Sequence, residues 1–274
     1  MGERSRDRYL HGASVAEQER LALMNGILNR RCLAELELRG GERVLEMGAG
    51  TGLFAVELAR AVGLGGEVVA IERDPDQLAR ARAVIESAGA AVELRAGEVA
   101  DPPLADDEWG GFELVHARFL LEHLADPLPA VRAMVRAARP GGRIALIDDD
   151  HSLMRFWPDP GGMTELWSDY ARQFERLGND PNIGRRLVSL LSEAGARPLR
   201  ATQINYGGCA GEQAFAALVR NLAEVVAGAR GAVVASTRWT AAEFDAALDQ
   251  FRRWGERPDA VIWYALPMAV GLRP

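Results

Sequence analysis

The chain has 274 residues, 48% of them hydrophobic, which is enough to bury one full core. Its formal net charge of −7 argues against a nucleic acid as the main partner, because no diffuse basic field is present to attract phosphates. The sequence contains no lysine, which excludes Schiff-base chemistry and a P-loop lysine.

The first predicted element is a helix over residues 14–38. Ser14 and Glu17 stand at capping-box spacing, and apolar residues then recur at helical intervals. Five strands are predicted at RVLEM, EVVAIE, AVELRA, FELVHA and GRIALID, with helices over 53–62, 75–88 and 126–138 and a turn over 138–142. This alternation favours a parallel sheet with helices on both faces, an α/β fold.

Beyond residue 150 two insertions interrupt the alternation. Residues 151–182 separate the fifth strand from a helix at IGRRLVSLLSEAGA, and a helical insertion over 208–258 follows a sixth strand near PLRATQINY. Thr240 and Glu243 in the second insertion again have capping-box spacing. The segment DAVIWYALPMAVGL predicts a last strand. We therefore expect a single domain whose helical cap combines residues 1–38, 151–180 and 208–258.

A glycine-rich loop follows the first strand. Gly48, Gly50 and Gly52 allow the backbone to approach a polar ligand at the start of a helix. Glu72 ends the second strand about 20 residues later, the usual place for a carboxylate that binds ribose hydroxyls. The pair predicts a cofactor that contains adenosine. A dinucleotide loop would need a third glycine at position 53, which is Leu53.

The residues from Glu46 to Gly52 resemble the first motif of the class I S-adenosylmethionine-dependent methyltransferases, E/D-x-G-x-G-x-G. The segments RAGEVADPPL, FELVHARFLLEHLADP and RPGGRIALID are similar to the later motifs of that family, so the resemblance covers about residues 40–150. It implies a Rossmann-like, seven-stranded, mostly parallel sheet whose last strand is antiparallel, with a cofactor-binding core over about 39–150. It also implies S-adenosyl-L-methionine as cofactor.

By the same resemblance, Glu98 contacts the adenine amino group, where the family more often has Asp, and Val99 packs on the ring. Tyr9 closes over the methionine end of the cofactor, and Arg118 binds a carboxylate or pairs with a local acid. The predicted cofactor-binding residues are Tyr9, Glu46, Gly48, Ala49, Gly50, Gly52, Glu72, Arg73, Glu98, Val99 and Arg118.

The polar run from Asp148 to His151 lies at the carboxyl end of the fifth strand, the edge where open α/β sheets bind ligands. Asp150 and His151 are candidate catalytic bases, although the run also fits a solvated strand end. His116 in the fourth strand is a third candidate, with a buried core histidine as the alternative. No metal is expected, because the rest of the pattern of the metal-dependent catechol methyltransferases is missing.

These features predict a transferase that methylates a small, partly apolar molecule, mainly by proximity and orientation. The accepting atom stays open between O, N and C, and secondary metabolism is the expected context. Aromatic residues of the cap either wall the acceptor pocket or form the core of the cap. The alternatives are a non-methylating cyclase or binding scaffold on the same fold, and an NAD-dependent oxidoreductase.

The expected location is the cytoplasm. Cys32 and Cys209 are too few for a disulfide framework, the first residues lack an apolar signal core, and no apolar run approaches the roughly 20 residues of a membrane span. We therefore expect a monomer or homodimer with a small-molecule partner and neither a nucleic acid nor a membrane partner.

Overall fold

The computed structural model describes residue 26 and residues 28–274. The strands are β1 Arg43–Met47, β2 Glu67–Glu72, β3 Val92–Ala96, β4 Phe112–Arg118, β5 Ala138–Ile147, β6 Arg155–Trp157, β7 Arg197–Asn205, β8 Gly208–Cys209, β9 Val261–Trp263 and β10 Ala265–Leu272. The helices are α1, described over residues 28–35, α2 Leu53–Val62, α3 Pro75–Ala88, α4 Leu128–Ala137, α5 Met163–Arg176, α6 Leu187–Glu193, α7 Phe215–Gly228, α8 Arg230–Ser236 and α9 Ala241–Trp254.

Seven strands form the main sheet in the order β3-β2-β1-β4-β5-β10-β7. The first five pair in parallel, and β10 runs antiparallel to both β5 and β7. The predicted α/β class, the mostly parallel sheet and the antiparallel last strand are confirmed.

Side chains on successive residues of the central strands enter two different cores. Val44 belongs to a core that also contains Phe54 and Leu58 of α2, whereas its neighbour Leu45 packs with Met134 of α4. Since strand side chains alternate between faces, the two cores lie on opposite faces of the sheet. The helices on both faces are confirmed.

The predicted turn over residues 138–142 is wrong, because these residues belong to β5. Phe112 pairs with Ala138, but Leu114 pairs with Arg143, so three extra residues of β5 bulge out of the ladder. Gly141 has a φ of 72° there, a conformation that favours glycine.

The predicted last strand is two strands. The break falls at Tyr264, whose carbonyl accepts hydrogen bonds from the backbone N–H groups of Tyr206 and Gly207 at 2.8 and 2.9 Å. On one side of the break β10 joins the main sheet, and on the other β9 forms a small sheet in the order β6-β9-β8.

Helices α5, α7, α8 and α9 pack on one another over one face of the main sheet. Their buried residues, such as Phe244 and Phe251, share a core with Phe54 of α2. The capping box of Thr240 and Glu243 forms as predicted at the start of α9. Of the helix predicted over 14–38, residues 26 and 28–35 are helical, and residues 36–38 are not, because the chain turns there. Residues 14–25 and 27 lie outside the described residues, as does Tyr9.

Candidate active site

A cleft that is partly open to solvent lies at the carboxyl ends of β1, β4 and β5. The glycine loop and the start of α2 form one side, which we call the outer half. Residues that follow β4 and β5, together with the cap, form the other side, which we call the inner half. This is the edge of an open α/β sheet at which ligands bind.

The glycine loop has the conformation that its sequence predicts. Gly48, Gly50 and Gly52 all have positive φ angles. A Cβ on Gly52 would approach Ala81 of α3 to 3.0 Å, whereas a Cβ on Gly50 would meet nothing within 4 Å. Gly52 therefore serves the packing of α2 on α3, and Gly50 leaves open space on the cleft side.

The backbone N–H groups of this loop mostly donate within the protein. Those of Gly48 and Ala49 donate to the Ile71 carbonyl, and that of Gly52 donates to the Ala49 carbonyl. Gly52, the N-cap of α2, has no side chain to accept hydrogen bonds from the first N–H groups of the helix. The start of α2, with its partial positive charge, is thus better placed for an anionic group than the loop N–H groups themselves.

Glu72 binds the loop from the neighbouring strand. Its Oε2 accepts a hydrogen bond from the Gly50 N–H at 2.8 Å, and its Oε1 accepts from the N–H groups of Arg73 and Asp74 at 2.9 Å. Burial raises the pKa of Glu72, and these backbone hydrogen bonds oppose the shift. Oε1 already accepts two hydrogen bonds, whereas Oε2 accepts one and can accept a second from a ribose hydroxyl.

Glu46 at the end of β1 is buried and lines the cleft. Its Oε2 has no hydrogen-bond partner among the described residues. Burial raises the pKa of this carboxyl to about 8, with Arg118 opposing the shift and Glu72 adding to it. A buried carboxylate oxygen without a partner is costly, so this geometry favours a cationic or hydrogen-bond-donating ligand at Glu46.

Glu72 and the three predicted cofactor residues that follow β2 and β3 are not among the residues that line the cleft. Arg73 pairs with Glu98 at 3.5 Å, and both stand outside the residues that line the cleft, whereas Val99 is buried in the core. Gln77 of α3, which the sequence did not single out, lines the cleft.

Arg118 ends β4 beside the cleft. Its guanidinium lies 4.1 Å from the centre of the Phe54 ring and donates a hydrogen bond to Asn29 Oδ1 at 3.0 Å. Its neighbour Phe119 lines the cleft with a φ of 51°, a strained conformation for a residue other than glycine.

Asp148 holds that strained segment in place. Its carboxylate accepts hydrogen bonds from the N–H groups of Leu120 and Leu121, at 3.1 and 2.7 Å. Burial raises the pKa of Asp148 well above its usual range. Asp148 therefore fixes the segment that carries Phe119 and Glu122 to the cleft.

The strand alternation divides the polar run at the end of β5. Asp149 and His151 line the cleft, whereas Asp150 forms a bidentate ion pair with Arg185, at 2.9 and 2.7 Å, away from it. The sequence predicts that the carboxylate of Asp150 faces the ligand. The carboxylate of Asp149 faces the cleft instead, because successive residues of an extended chain face opposite sides.

His151 lies in the inner half of the cleft. Its Nε2 is 3.1 Å from Glu122 Oε2, and its ring packs against Trp167 and Tyr170. Burial lowers the pKa of His151, so the ring is neutral at neutral pH. A neutral imidazole next to a carboxyl group is able to move a proton.

Glu122, Asp149 and His151 each place one polar atom within 4.8 Å of the others. Burial raises the pKa of Glu122 to about 8, and burial together with Glu122 raises that of Asp149 to about 7. Tyr264 donates a hydrogen bond to Asp149 Oδ1. A single cation, metallic or organic, could bridge atoms at this spacing.

His116 stands apart from this group. It is fully buried in β4 beside Phe54, outside the cleft lining, and burial lowers its pKa to about 3. His116 is therefore a core histidine, and a ligand in the cleft would not contact it.

The cap supplies the aromatic side of the cleft. Trp167 and Tyr170 of α5 line it, whereas Phe251 and Trp254 stack on each other inside the cap. Asn221 of α7 also reaches the cleft, where it donates to the Tyr206 hydroxyl at 2.8 Å.

Five residues of the inner half were missed or undervalued in the sequence: Glu122, Asp149, Tyr206, Asn221 and Tyr264. The alternation along β5 could have found Asp149. Tyr206 and Tyr264 come together only where β7 ends and β10 begins, which no local pattern reveals.

Residues 45–146 match the family described as "Methyltransferase domain". Over 212 residues, 76% of the chain, the protein is 32% identical to an uncharacterized 37.1 kDa protein in transposon Tn4556 of Streptomyces fradiae. Over 129 residues, 47% of the chain, it is 35% identical to the ubiquinone biosynthesis O-methyltransferase of Xanthomonas euvesicatoria pv. vesicatoria. The matches span 59% and 52% of these relatives, less than two thirds of their length.

The fold is similar to that of an S-adenosylmethionine-dependent methyltransferase from Aquifex aeolicus. The TM-score is 0.51 at 22% identity, over 66% of this chain and 86% of the other. No helix in the described part of the chain has the length and apolar character needed to cross a membrane. Residues 45–146 thus match the methyltransferase-domain family, and the sheet that contains them has the fold of an S-adenosylmethionine-dependent methyltransferase.

Proposed function

We propose that the protein binds S-adenosylmethionine in the outer half of the cleft and transfers its methyl group to a small organic acceptor in the inner half. One observation carries the proposal. The buried carboxyl of Glu46, with an oxygen that no described residue satisfies, and the carboxylate of Glu72 flank one open glycine loop. The first carboxylate suits an ammonium group and the second suits ribose hydroxyls.

Each end of the cofactor has a matching group in this arrangement. Glu46 binds the ammonium group of the methionine portion, and the start of α2 binds its carboxylate. Glu72, which accepts a hydrogen bond from the cleft-lining Gly50, binds the ribose. Glu98, which lies past the end of β3 and pairs with Arg73, binds the adenine. Gly48, Ala49 and Gly50 contact the cofactor through their exposed backbone surface, since their N–H groups already donate within the protein.

S-adenosylmethionine supplies an activated methyl group on a sulfonium. The protein therefore has mainly to align the acceptor with that methyl and exclude water, and positioning of this kind lowers a barrier by several kcal/mol. Trp167 and Tyr170 cover the inner half of the cleft from the cap, which favours a small, partly apolar acceptor over a macromolecule.

Several wider features belong to the same proposal. We infer a single domain over residues 1–274 that acts in the cytoplasm on a small molecule, with secondary metabolism as the context. The solution state proposed is a monomer or homodimer, and no metal takes part.

Incubation of the purified protein with S-adenosylmethionine and a panel of small acceptors, followed by mass spectrometry, tests the proposal. We expect S-adenosylhomocysteine to form in proportion to a methylated product. If the cofactor binds but an acceptor is only bound or cyclised, without methylation, the non-methylating alternative holds. Oxidation of an acceptor with NAD would support the oxidoreductase instead.

A further inference from the structure

Three side chains that line the inner half of the cleft offer oxygen atoms that can accept hydrogen bonds. The carboxyl groups of Glu122 and Asp149 face it. Asn221 is 99% buried and lines the cleft, and its Oδ1 has no partner in the part of the chain that the structure describes. Since a buried acceptor without a partner is costly, the geometry calls for a ligand that donates several hydrogen bonds at one point.

The walls around these acceptors are aromatic. Trp167, Tyr170, Tyr206 and Tyr264 line the same region, and the Tyr206 and Tyr264 rings lie 5.8 Å apart. Aromatic faces carry negative potential and attract organic cations. A hydrated metal ion would gain nothing from such walls, because it prefers oxygen ligands and water.

The ionisable side chains of the cleft point the same way. Among the described residues that line it, Glu46, Glu122 and Asp149 carry carboxyl groups and Arg118 carries the guanidinium. The guanidinium of Arg118 lies over the Phe54 ring and donates a hydrogen bond to Asn29, and its charge acts on Glu46. An acceptor with a carboxylate or phosphate would therefore meet carboxyl groups in the inner half, whereas a cationic acceptor would be attracted.

We propose that the acceptor is an amine, bound as its ammonium form by Asp149, Glu122 and Asn221 beneath the aromatic wall of Trp167 and Tyr170. This inference rests on the proposed methyl transfer and names its substrate class. It assigns the accepting atom as nitrogen.

The chemistry requires one proton to leave before transfer. The ammonium R–NH₃⁺ gives a proton to the Asp149 carboxylate and becomes R–NH₂. Its lone pair then forms the N–C bond as the C–S bond of the sulfonium breaks, and the C–S electron pair stays on sulfur as a thioether. The product is R–NH₂CH₃⁺, and the protonated Asp149 releases its proton to solvent. No further reactant is needed.

Asp149 is suited to this step. Burial and the neighbouring Glu122 raise its pKa to about 7, while Tyr264 donates a hydrogen bond that favours the ionised form. A base is most effective when its pKa lies near the working pH. The contact between His151 and Glu122, at 3.1 Å, fixes the second carboxyl group beside it.

Matched acceptors on one carbon skeleton test the inference directly. Phenethylamine, 2-phenylethanol and phenylacetate, and the corresponding indole series, are titrated into the protein saturated with S-adenosylhomocysteine, and turnover with S-adenosylmethionine is followed by mass spectrometry. We expect the amines to bind at least about tenfold more tightly than the alcohols and carboxylates, and to be N-methylated. Preference for the alcohols or carboxylates, or failure of every amine to bind, would overturn the inference.

Single substitutions distinguish a residue that transfers a proton from one that only binds the amine. Asp149→Asn should lower kcat for the amine by about 100-fold or more, and Asn221→Leu should weaken amine binding while leaving alcohol binding unchanged. Asp150→Asn, one residue away but outside the cleft, is the matched control and should retain both. Equal losses for amines and alcohols in folded variants would contradict a specific amine site.

Two further results distinguish the amine site from a metal site and from failure of the proposed function. Chelator treatment should not change turnover, and activity that requires added Mg²⁺ or Mn²⁺ would assign the cluster to a metal and overturn the amine site. If S-adenosylhomocysteine itself fails to bind, the proposed function falls. If it binds and alcohols are methylated, the amine inference alone falls.

Discussion

The Gly50 N–H donates a hydrogen bond to Glu72 Oε2 at 2.8 Å, which joins the glycine loop to the acid at the end of the neighbouring strand. The two features that predict an adenosine cofactor are therefore one physical unit. A change to either residue should affect both the loop and the ribose site, and the first two predictions use this coupling.

Gly50→Val should abolish measurable binding of S-adenosylhomocysteine. The new side chain would fill the open space on the cleft side, and a β-branched residue is strained at a φ of 55°. Calorimetric titration measures the loss. Gly63→Val is the matched control, since Gly63 also has a positive φ and open space but lies beyond the far end of α2. Unchanged affinity in a folded Gly50→Val protein would mean that the loop holds something else.

Glu72→Gln should weaken cofactor binding by about one to two orders of magnitude, the effect of losing roughly 1.5–3 kcal/mol from hydrogen bonds to a charged group. The amide nitrogen cannot accept from a ribose hydroxyl or from the loop. Glu67→Gln, at the exposed start of the same strand, should bind as the wild type does. Wild-type affinity in Glu72→Gln would show that the ribose site is misassigned.

Binding of the cofactor should release protons near pH 7. In the empty site burial raises the pKa of Glu46 to about 8, so the carboxyl holds a proton, and an ammonium group beside it favours the ionised form. Affinity should accordingly rise with pH up to about 8. Calorimetry in buffers of different ionisation enthalpy measures the release, which we expect to be about one proton. Glu46→Gln should abolish it, and an undiminished release in that variant would point to another group.

Asp150→Asn should change stability and leave catalysis intact. Burial raises the pKa of Asp150, but hydrogen bonds from Arg185 and Ser152 outweigh it, so the pKa lies below its usual value. The ion pair therefore stabilises the fold above the unfolded pKa and loses its effect as the pH falls. Because Arg185 is half exposed, we expect a loss of about 1 kcal/mol and a fall in Tm of a few degrees. A large fall in kcat would place Asp150 in the active site after all.

The glycine loop and its contact with Glu72 could be predicted from the sequence because they depend on local features. The strand, the glycine turn and the start of α2 are contiguous, and Glu72 ends the adjacent parallel strand, so spacing along the chain determines proximity. The helices over 53–62 and 75–88 agree with α2 and α3 for the same reason.

The inner half of the cleft could not be predicted in this way. Asn221 and Tyr264 come from α7 and from the junction of β9 and β10, which only tertiary packing brings to Asp149. The small sheet of β6, β9 and β8 was missed because its strands have two or three residues each, too few for a period to be recognised. Asp149 was undervalued because four polar residues in a row conceal which of them face the cleft.

Titration of the wild-type protein with S-adenosylhomocysteine, with NADH as competitor, tests the central claim most directly. The arrangement of Glu46, Gly50 and Glu72 predicts saturable one-to-one binding of S-adenosylhomocysteine that NADH does not displace. Binding of NADH at the same site, with no heat from S-adenosylhomocysteine, would contradict it.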